Sequence, residues 1–552
     1  MGAAGPRHVD VVVVGAGPTG LAAALELRAR GARVAIVDKA PSPGAFDAER
    51  AFLYNVDGRG QAVLDSLGLL PALLAASVSQ EEFRISIVTD SAEPVSAPVA
   101  LPTVDMEQRR RTPAQWIPRA TLVELMDAAV AATVEQRSGP PAVERIYGYE
   151  LQSITLARKE AAGGGGASGG DGGAREPPLW SVRLRRSSAG EERTDGALDL
   201  EAALVVGADG LGSAVRAQLA ALTAGVRARG GAGTGRGGFR VVRRRCASAG
   251  LRYKVLALPP AFRLSRRSSQ LAQPSVAYSI RSAHSARRPV RAGLLPLRTD
   301  EAGRTANFIT AHDHPLWEQR TPEQIDAYLR DTFPHVPLDA AHIGAAELAR
   351  FARSAGGHFP QPQHCTDAAL VPTGAAGCAA VLAGDALHAF PPDLGQGVNA
   401  GLQDVGALAA QLDAHAVRFG AADGRAQPRP PAGLAAAAVA YGAARAPEAA
   451  ALTRLVQLGY PFQYSQEKFL GKARQAWWAL NLLLRLRLSK LAPALFHPQI
   501  FTLVQNPALR YTEILARANV TTRNLQLAAV ALLAFAAALA RGAVALRALV
   551  PL

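Results

Sequence analysis

Cysteine is scarce: three residues, Cys246, Cys365 and Cys378, serve a chain of 552, odd in number and far apart. That excludes a disulfide framework and a cysteine-built metal site, and it fits a reducing compartment. The 11 histidines show no metal-ligand spacing either, and no GxSxG nucleophile motif is present. Lysine is nearly missing, since only six of the 60 basic residues are Lys while Ala, Gly, Arg and Pro crowd every region. The net charge of +15 is therefore a compositional bias before it is a clue to a partner. With no zinc-finger spacing, basic zipper or aromatic RNA-binding signature, no nucleic-acid partner is expected, and short runs such as Arg109 to Arg111 and Arg243 to Arg245 read as solvated loop faces. A strand-like run already begins at Val9, which leaves no room upstream for a signal or transit peptide.

What the chain has in quantity is apolar surface, 49% of its residues, enough for a large core shared by two to four structural units at roughly 100 to 200 residues each. Glycine-rich stretches at 163–173 and 230–238, and a Pro-rich one at 427–433, carry no core-forming residues and read as flexible insertions. Near the end, Leu525 to Ala540 is apolar except for Gln526. Sixteen helical residues span about 24 Å, short of the roughly 30 Å hydrocarbon core of a bilayer unless Arg541 snorkels outward. Two readings stand: a membrane-spanning helix, or an Ala-rich helix packed on the protein. The basic, apolar stretch Leu482 to Lys490 has the composition of an interfacial helix.

Three segments carry chemistry. Val9 to Val14 is a β-branched run followed by Gly15, Gly17 and Gly20 in GAGPTG and then by a helical pattern. In this order Gly15 permits the turn, Gly17 lets a pyrophosphate approach the backbone, and Gly20 allows close packing of a helix whose N–H groups face the phosphate. A second strand, Ala32 to Val37, ends at Asp38, placed to hold an adenosine ribose. Leu204 to Arg216 repeats strand, acidic turn and helix start, with Asp209 at the corner and Arg216 able to neutralise phosphate. Val381 to Asp385 supplies a third strand, and after Pro391 and Pro392 the loop Gly395, Gln396, Gly397 exposes backbone amides at the start of a helix that includes Asn399.

Together these segments resemble, in type, order and spacing, the GxGxxG, DG and GD fingerprints of the class A flavoprotein monooxygenases, the group that includes para-hydroxybenzoate hydroxylase. The resemblance implies FAD, with Gly15, Gly17 and Gly20 at the pyrophosphate, Asp38 on the adenosine ribose, Asp209 beside it, Asp385 on the ribityl chain, the loop Gly395 to Gly397 with Asn399 beside the flavin ring, and Arg119 before a helix as a further FAD contact. His388 belongs to the GD fingerprint and receives no catalytic role. The segments ERAFLYNVDGRGQAVLDSLGL (49–69), LGQGVNAGLQD, Arg445 to Glu448, and Leu509 to Tyr511 ahead of an apolar tail resemble kynurenine 3-monooxygenases in particular. That resemblance implies a C-terminal membrane anchor and a substrate carboxylate held by Arg84, Asn399 and Tyr460. A second Tyr of that set has no counterpart where APVALPT stands at 97–103.

The expected fold is α/β: an FAD-binding Rossmann-like domain of the GR2 type with an inserted β-sheet substrate domain and a helical C-terminal region. The expected boundaries are 1–220 for the first part of the FAD domain, with a Gly-rich insertion at 161–175. They continue with 221–374 for the substrate sheet, 375–420 for the GD segment, 421–520 for the helices and 521–552 for the anchor. The expected activity is hydroxylation of an aromatic substrate with NADPH and O2 through a flavin C4a-hydroperoxide, the flavin being the reactive group. An epoxidase or reductase acting on an isoprenoid or lipid, and a non-catalytic membrane-bound flavoprotein, are the alternatives. The expected location is a cytosol-facing membrane, the outer mitochondrial membrane among the candidates.

Overall fold

A computed structural model describes residues 5–42, 53–80, 84–91, 99–100, 112–133, 142–157, 178–187, 197–228, 238–298, 304–373, 377–420, 429–460, 462–464 and 469–549. The glycine-rich insertion at 161–175 and the APVALPT segment, apart from the backbone of 99–100, lie outside them.

The β-branched run Val11–Val14 forms the middle of a six-stranded sheet with every side chain buried, as a parallel strand covered on both faces requires. The sheet order is Ala369–Leu370, Ala379–Leu382, Leu204–Gly207, Val11–Val14, Val34–Asp38, Glu144–Tyr147, parallel throughout except for the first, antiparallel edge strand. Because Leu204–Gly207 pairs with Val11–Val14 on one side and Ala379–Leu382 on the other, all three fingerprint strands lie side by side. Their carboxyl ends, and hence the three glycine- and aspartate-bearing turns, converge on one edge, the place where open α/β sheets bind ligands.

A second, seven-stranded sheet runs Gly357–His358, Arg252–Ala257, Thr305–Thr310, Arg291–Leu294, Ala277–Arg281, Arg84–Val88, Val99–Ala100. One face packs on the helices Pro322–Thr332 and Ala345–Arg353 around Phe308, whose ring meets Phe333 and Phe351 edge-on at 5.9 and 5.5 Å. The opposite face carries Tyr253, Val255, Asn307, Ile309 and Arg291, by the alternation of a strand. The expected boundary at 220 needs correcting in one respect: Arg84–Val88 leaves the first segment and pairs in parallel with Ala277–Arg281. A strand joins whichever edge can satisfy its N–H and C=O groups, whatever its place along the chain.

The C-terminal region is helical, as expected. Leu434–Gly459 lays Ala437, Ala438, Tyr441 and Ala449 on the core of the six-stranded sheet. Phe469–Leu491 follows, and the last helix, Tyr511–Leu549, starts packed, with Tyr511, Ile514, Ala518 and Thr521 buried. Further along it projects, with Leu527, Leu532, Leu533 and Phe535 all exposed. The reading of Leu525 to Ala540 as a helix packed on the protein is thereby overturned. Its stretch Tyr511–Arg541 is long and apolar enough to cross a membrane by length and composition.

Candidate functional site: a dinucleotide cradle at the sheet edge

The helix Pro18–Ala29 begins immediately after Gly17, with Pro18 at its first position and no side chain capping its leading N–H groups. Gly15 has a φ of 107°, and a Cβ there would meet the Ala208 carbonyl oxygen at 2.3 Å; one on Gly20 would meet the Gly15 oxygen at 1.8 Å. Both glycines are thus demanded by close packing of turn on turn. Gly17 differs, for a Cβ there would meet nothing within 4 Å. It faces open space in front of a helix N-terminus, the geometry of a phosphate cradle.

Acids surround that space. Asp38 accepts from the backbone N–H of Ala16 at 2.7 Å and of Ala40 at 2.8 Å, so the carboxylate also holds the glycine turn in shape. Asp209 accepts from Val215 N at 3.1 Å through one oxygen, while its other oxygen is buried with no hydrogen-bond partner among the described residues. An orphaned buried acceptor at the mouth of a cradle asks for a hydroxyl donor. Asp385 sits in a short turn, Gly384–Ala386, closely surrounded by protein, yet its own surface is exposed. Both hold because it borders a concave internal space. Burial pushes its carboxyl above the usual range, with His388 and Arg119 opposing the shift. Arg119, first residue of the helix Arg119–Ala132, hydrogen-bonds Tyr54, a phenol that burial raises above its ordinary value. These residues fit a flavin dinucleotide: a cradle with room for pyrophosphate at Gly17, an orphan acceptor for a hydroxyl at Asp209, and an acid, Asp385, bordering the space beyond.

The remaining expected residues behave differently. Arg216 spends its guanidinium on the carbonyls of Ala386 and Leu211, tying the second motif to the third. Asn399 is wholly buried, accepts from Asp57 N at 2.9 Å, and donates to the carbonyls of Asn55 and Gly395 at 2.8 and 3.0 Å. The expectation that it holds a substrate carboxylate is corrected: no donor remains to offer, and the amide instead fixes the loop Gly395 to Gly397. Gln396 likewise turns away from that loop, donating to Asp57 at 3.0 Å and accepting from the Tyr511 hydroxyl at 2.9 Å. Arg84 opens its strand, with its side chain outside the described residues. Tyr460 ends the helix Leu434–Gly459 and packs its ring at a tilt against Trp478 and Phe501, with centroids at 5.1 and 5.7 Å.

Several residues escaped sequence reasoning. Asp404, fully buried, accepts from Gly384 N at 2.8 Å and His388 Nε2 at 2.8 Å and pairs with Arg445 Nε at 2.7 Å. Burial alone would raise its carboxyl; Arg445 and His388 outweigh that and hold it below the ordinary range. Asp393, two residues before Gly395, is buried against Ser248, Cys246 and Gln463, and that burial pushes its carboxyl up to about 6. Arg291, on the free face of the seven-stranded sheet, lies near Tyr460 and Tyr464, and burial holds its guanidinium below its ordinary value. No carboxylate pairs with it among the described residues.

Fold and site define a protein built to hold a flavin dinucleotide. A family model described as an FAD binding domain matches residues 8–233 and 376–425, half of the chain, and the chain belongs to that family. Over its whole length it is similar to a kynurenine 3-monooxygenase of Salinispora arenicola, 27% identical over 559 residues that cover 98% of this chain and 97% of that protein. A flavin-dependent monooxygenase of Mycobacteroides abscessus is 41% identical over 77 residues, only 15% of its own length. Among solved structures, the tetrameric form of 2-methyl-3-hydroxypyridine-5-carboxylic acid oxygenase matches 82% of this chain and 91% of that one at a TM-score of 0.50 and 18% identity, a likeness of fold. The chain is an FAD-dependent monooxygenase.

Proposed function

We propose that this monooxygenase hydroxylates an aromatic acid with NADPH and O2, in the manner of kynurenine 3-monooxygenase. The observation that carries the substrate half is Arg291, a largely buried guanidinium on the free face of the seven-stranded sheet with no acidic partner among the described residues, within electrostatic reach of Tyr460 and Tyr464. Such a fork binds a carboxylate in two parallel hydrogen bonds, and the tyrosines add donors. Tyr464 also lies near Asp393, so the anchor stands on the path to the loop Gly395 to Gly397. Arg84, implied for this role by the family resemblance, lies two strands away on the same sheet but shares the strand parity of Ser86 and Val88, the helix-covered face, so Arg291 is the cation proposed here. Asn307, diagonal to Arg291 on the neighbouring strand, presents a buried amide oxygen without a partner, suited to a substrate amine.

FAD, when bound, would supply electron transfer from the nicotinamide and activation of O2. The chain's own residues place the substrate and keep the site dry: Leu251, Tyr253, Val255, Phe359, Ile309 and Tyr464 form an apolar cluster beside Arg291. The full-length relative's name supports kynurenine as the first candidate. We also propose that the exposed apolar helix beyond Asn524 enters a membrane facing the cytosol; nothing in the comparisons supports a mitochondrial one. The test is NADPH consumption with and without kynurenine, with hydroxylated product and hydrogen peroxide measured together. Stimulation and product, both lost in Arg291→Met, support the proposal. No response to kynurenine with a clear response to a neutral isoprenoid favours the epoxidase instead.

A further inference from the structure

A cavity of about 650 Å³ lies among the C-terminal helices, apart from the dinucleotide cradle. Its polar walls carry Arg245, Arg474 and Arg485, and no Asp or Glu lines it among the described residues. Arg485 is 9% exposed, and among the described residues its guanidinium donates only to neutral acceptors: Asn481 Oδ1 at 2.8 Å, the Ala518 carbonyl at 3.3 Å and Thr522 Oγ1 at 2.7 Å. A buried cation without an anion is costly, and burial does hold this guanidinium below its ordinary value. The helix that bears it, Phe469–Leu491, has five basic residues and no acidic one.

Two apolar features locate the cavity. Trp477, Leu480, Leu483, Leu484 and Leu491 recur at helical spacing on the same helix and are all exposed, with Trp477 at 69%. Ala518, Asn519 and Thr522 close the cavity from the last helix, about one turn before that helix emerges as the exposed apolar run. The cationic chamber therefore opens at the level where the proposed membrane segment leaves the protein, flanked by tryptophan, the residue that favours bilayer interfaces.

We infer that this cavity is a binding site for an anionic phospholipid, its phosphate held by Arg485 and Arg474 and its chains lying along the exposed stripe of Phe469–Leu491. The inference rests on the membrane reading of the tail. It is tested with full-length, FAD-loaded protein on phosphatidylcholine vesicles with and without phosphatidylglycerol. Phosphatidylcholine alone binds through the tail. Phosphatidylglycerol strengthens binding about tenfold, and Arg485→Met or Arg474→Gln removes most of that gain. A gain that survives both substitutions, or no gain at all above phosphatidylcholine, overturns the inference and leaves the membrane reading intact. Failure to bind vesicles of either kind defeats both. Because Arg485 also bridges two helices, FAD content is checked in each variant. Should Arg485→Met lose it, Arg474→Gln and a titration of wild-type protein with dioctanoyl phosphatidylglycerol decide. Saturable change in tryptophan emission with that lipid, absent with inorganic phosphate, supports the site; equal response to phosphate assigns it to a free anion instead.

Discussion

Replacing Arg445 by Met tests whether the buried Asp404 centre is what holds the third motif. Asp404 and Arg445 are 0% and 5% exposed, and the Nε to Oδ1 distance is 2.7 Å. Met fills the volume of the Arg stem and leaves the carboxylate among His388, the Gly384 N–H and an apolar wall that includes Tyr441. Breaking one side of such a pair strands a buried charge and costs roughly 3 to 5 kcal/mol, a large share of the 5 to 15 kcal/mol typical of a domain. The loss is not only global, because Asp404 anchors Gly384, the neighbour of Asp385. Arg445→Met is therefore expected to lower the urea midpoint and to release FAD on gel filtration more readily than wild type. Adding Asp404→Asn removes the stranded charge and keeps an acceptor for Gly384 N, so the double variant should regain about 1 kcal/mol or more. A single variant within about 1 kcal/mol of wild type, or a double variant no better than the single, refutes the argument.

Asp385→Ala should weaken FAD retention about ten- to a hundredfold by removing a charge-assisted hydrogen bond worth about 1.5 to 3 kcal/mol, read by flavin fluorescence on dilution. Unchanged affinity would place the ribityl chain elsewhere. Deleting residues from Asn524 onward should yield a soluble, still yellow protein, since the buried part of the last helix, Tyr511 to Thr521, is retained; full-length protein found wholly in the soluble fraction counts against the anchor. His314 and His364 are held down to about 4 chiefly by burial, with Arg288 and Arg244 respectively adding to it. Both stay neutral in the folded chain while the unfolded chain takes up protons near 6.5, so stability is full above that pH and falls between 6.5 and about 4, by up to roughly 3 kcal/mol for each His. Asp393, pushed up to about 6, works in the opposite sense over the overlapping window. His364→Gln should flatten the acid limb of a denaturation curve measured against pH, and an unchanged slope argues against it. Tyr511→Phe leaves the Gln396 acceptor with Arg59 alone at 3.5 Å, and should loosen FAD with vesicle binding unchanged.

What the sequence made legible was the local grammar. Gly15, Gly17 and Gly20 follow a β-branched strand and precede a helix; the duties of Gly15 and Gly20 are steric demands of the turn itself, while Gly17 leaves open space in front of the helix N-terminus. Side-by-side packing of the three motif strands is consistent with the order of the motifs, because parallel strands need crossovers of the lengths seen between them. The long-range pairs were not legible. Arg445 lies 41 residues from Asp404, and Arg59 donates to carbonyls at Val504, Asn506 and Leu509. Nothing in composition or period says which of 45 acids meets which of 60 bases in the interior. Asn399 was misassigned for a related reason. An amide in a glycine-rich fingerprint looks like a donor to a ligand until its three backbone partners are seen to exhaust it.

These buried pairs explain why a tail with an apparently separate task shares a chain with the cofactor site. Arg59, its side chain 1% exposed, donates to Asp57 and to three carbonyls of the 504–509 segment, and its guanidinium lies 5.1 Å from the Tyr511 ring. Tyr511 donates its hydroxyl to Gln396 and its backbone N–H to Glu448, while Asp57 receives Gln396 from the other side. The start of the last helix, the Gly395 to Gly397 loop and the turn at Asp57 between the strand Leu53–Val56 and the helix Gly58–Ser66 are thus one hydrogen-bonded body. Each member is buried, so removing any one leaves an unsatisfied group that water cannot reach. The contacts that seat the start of the projecting helix are therefore the same contacts that set the loop beside the dinucleotide cradle.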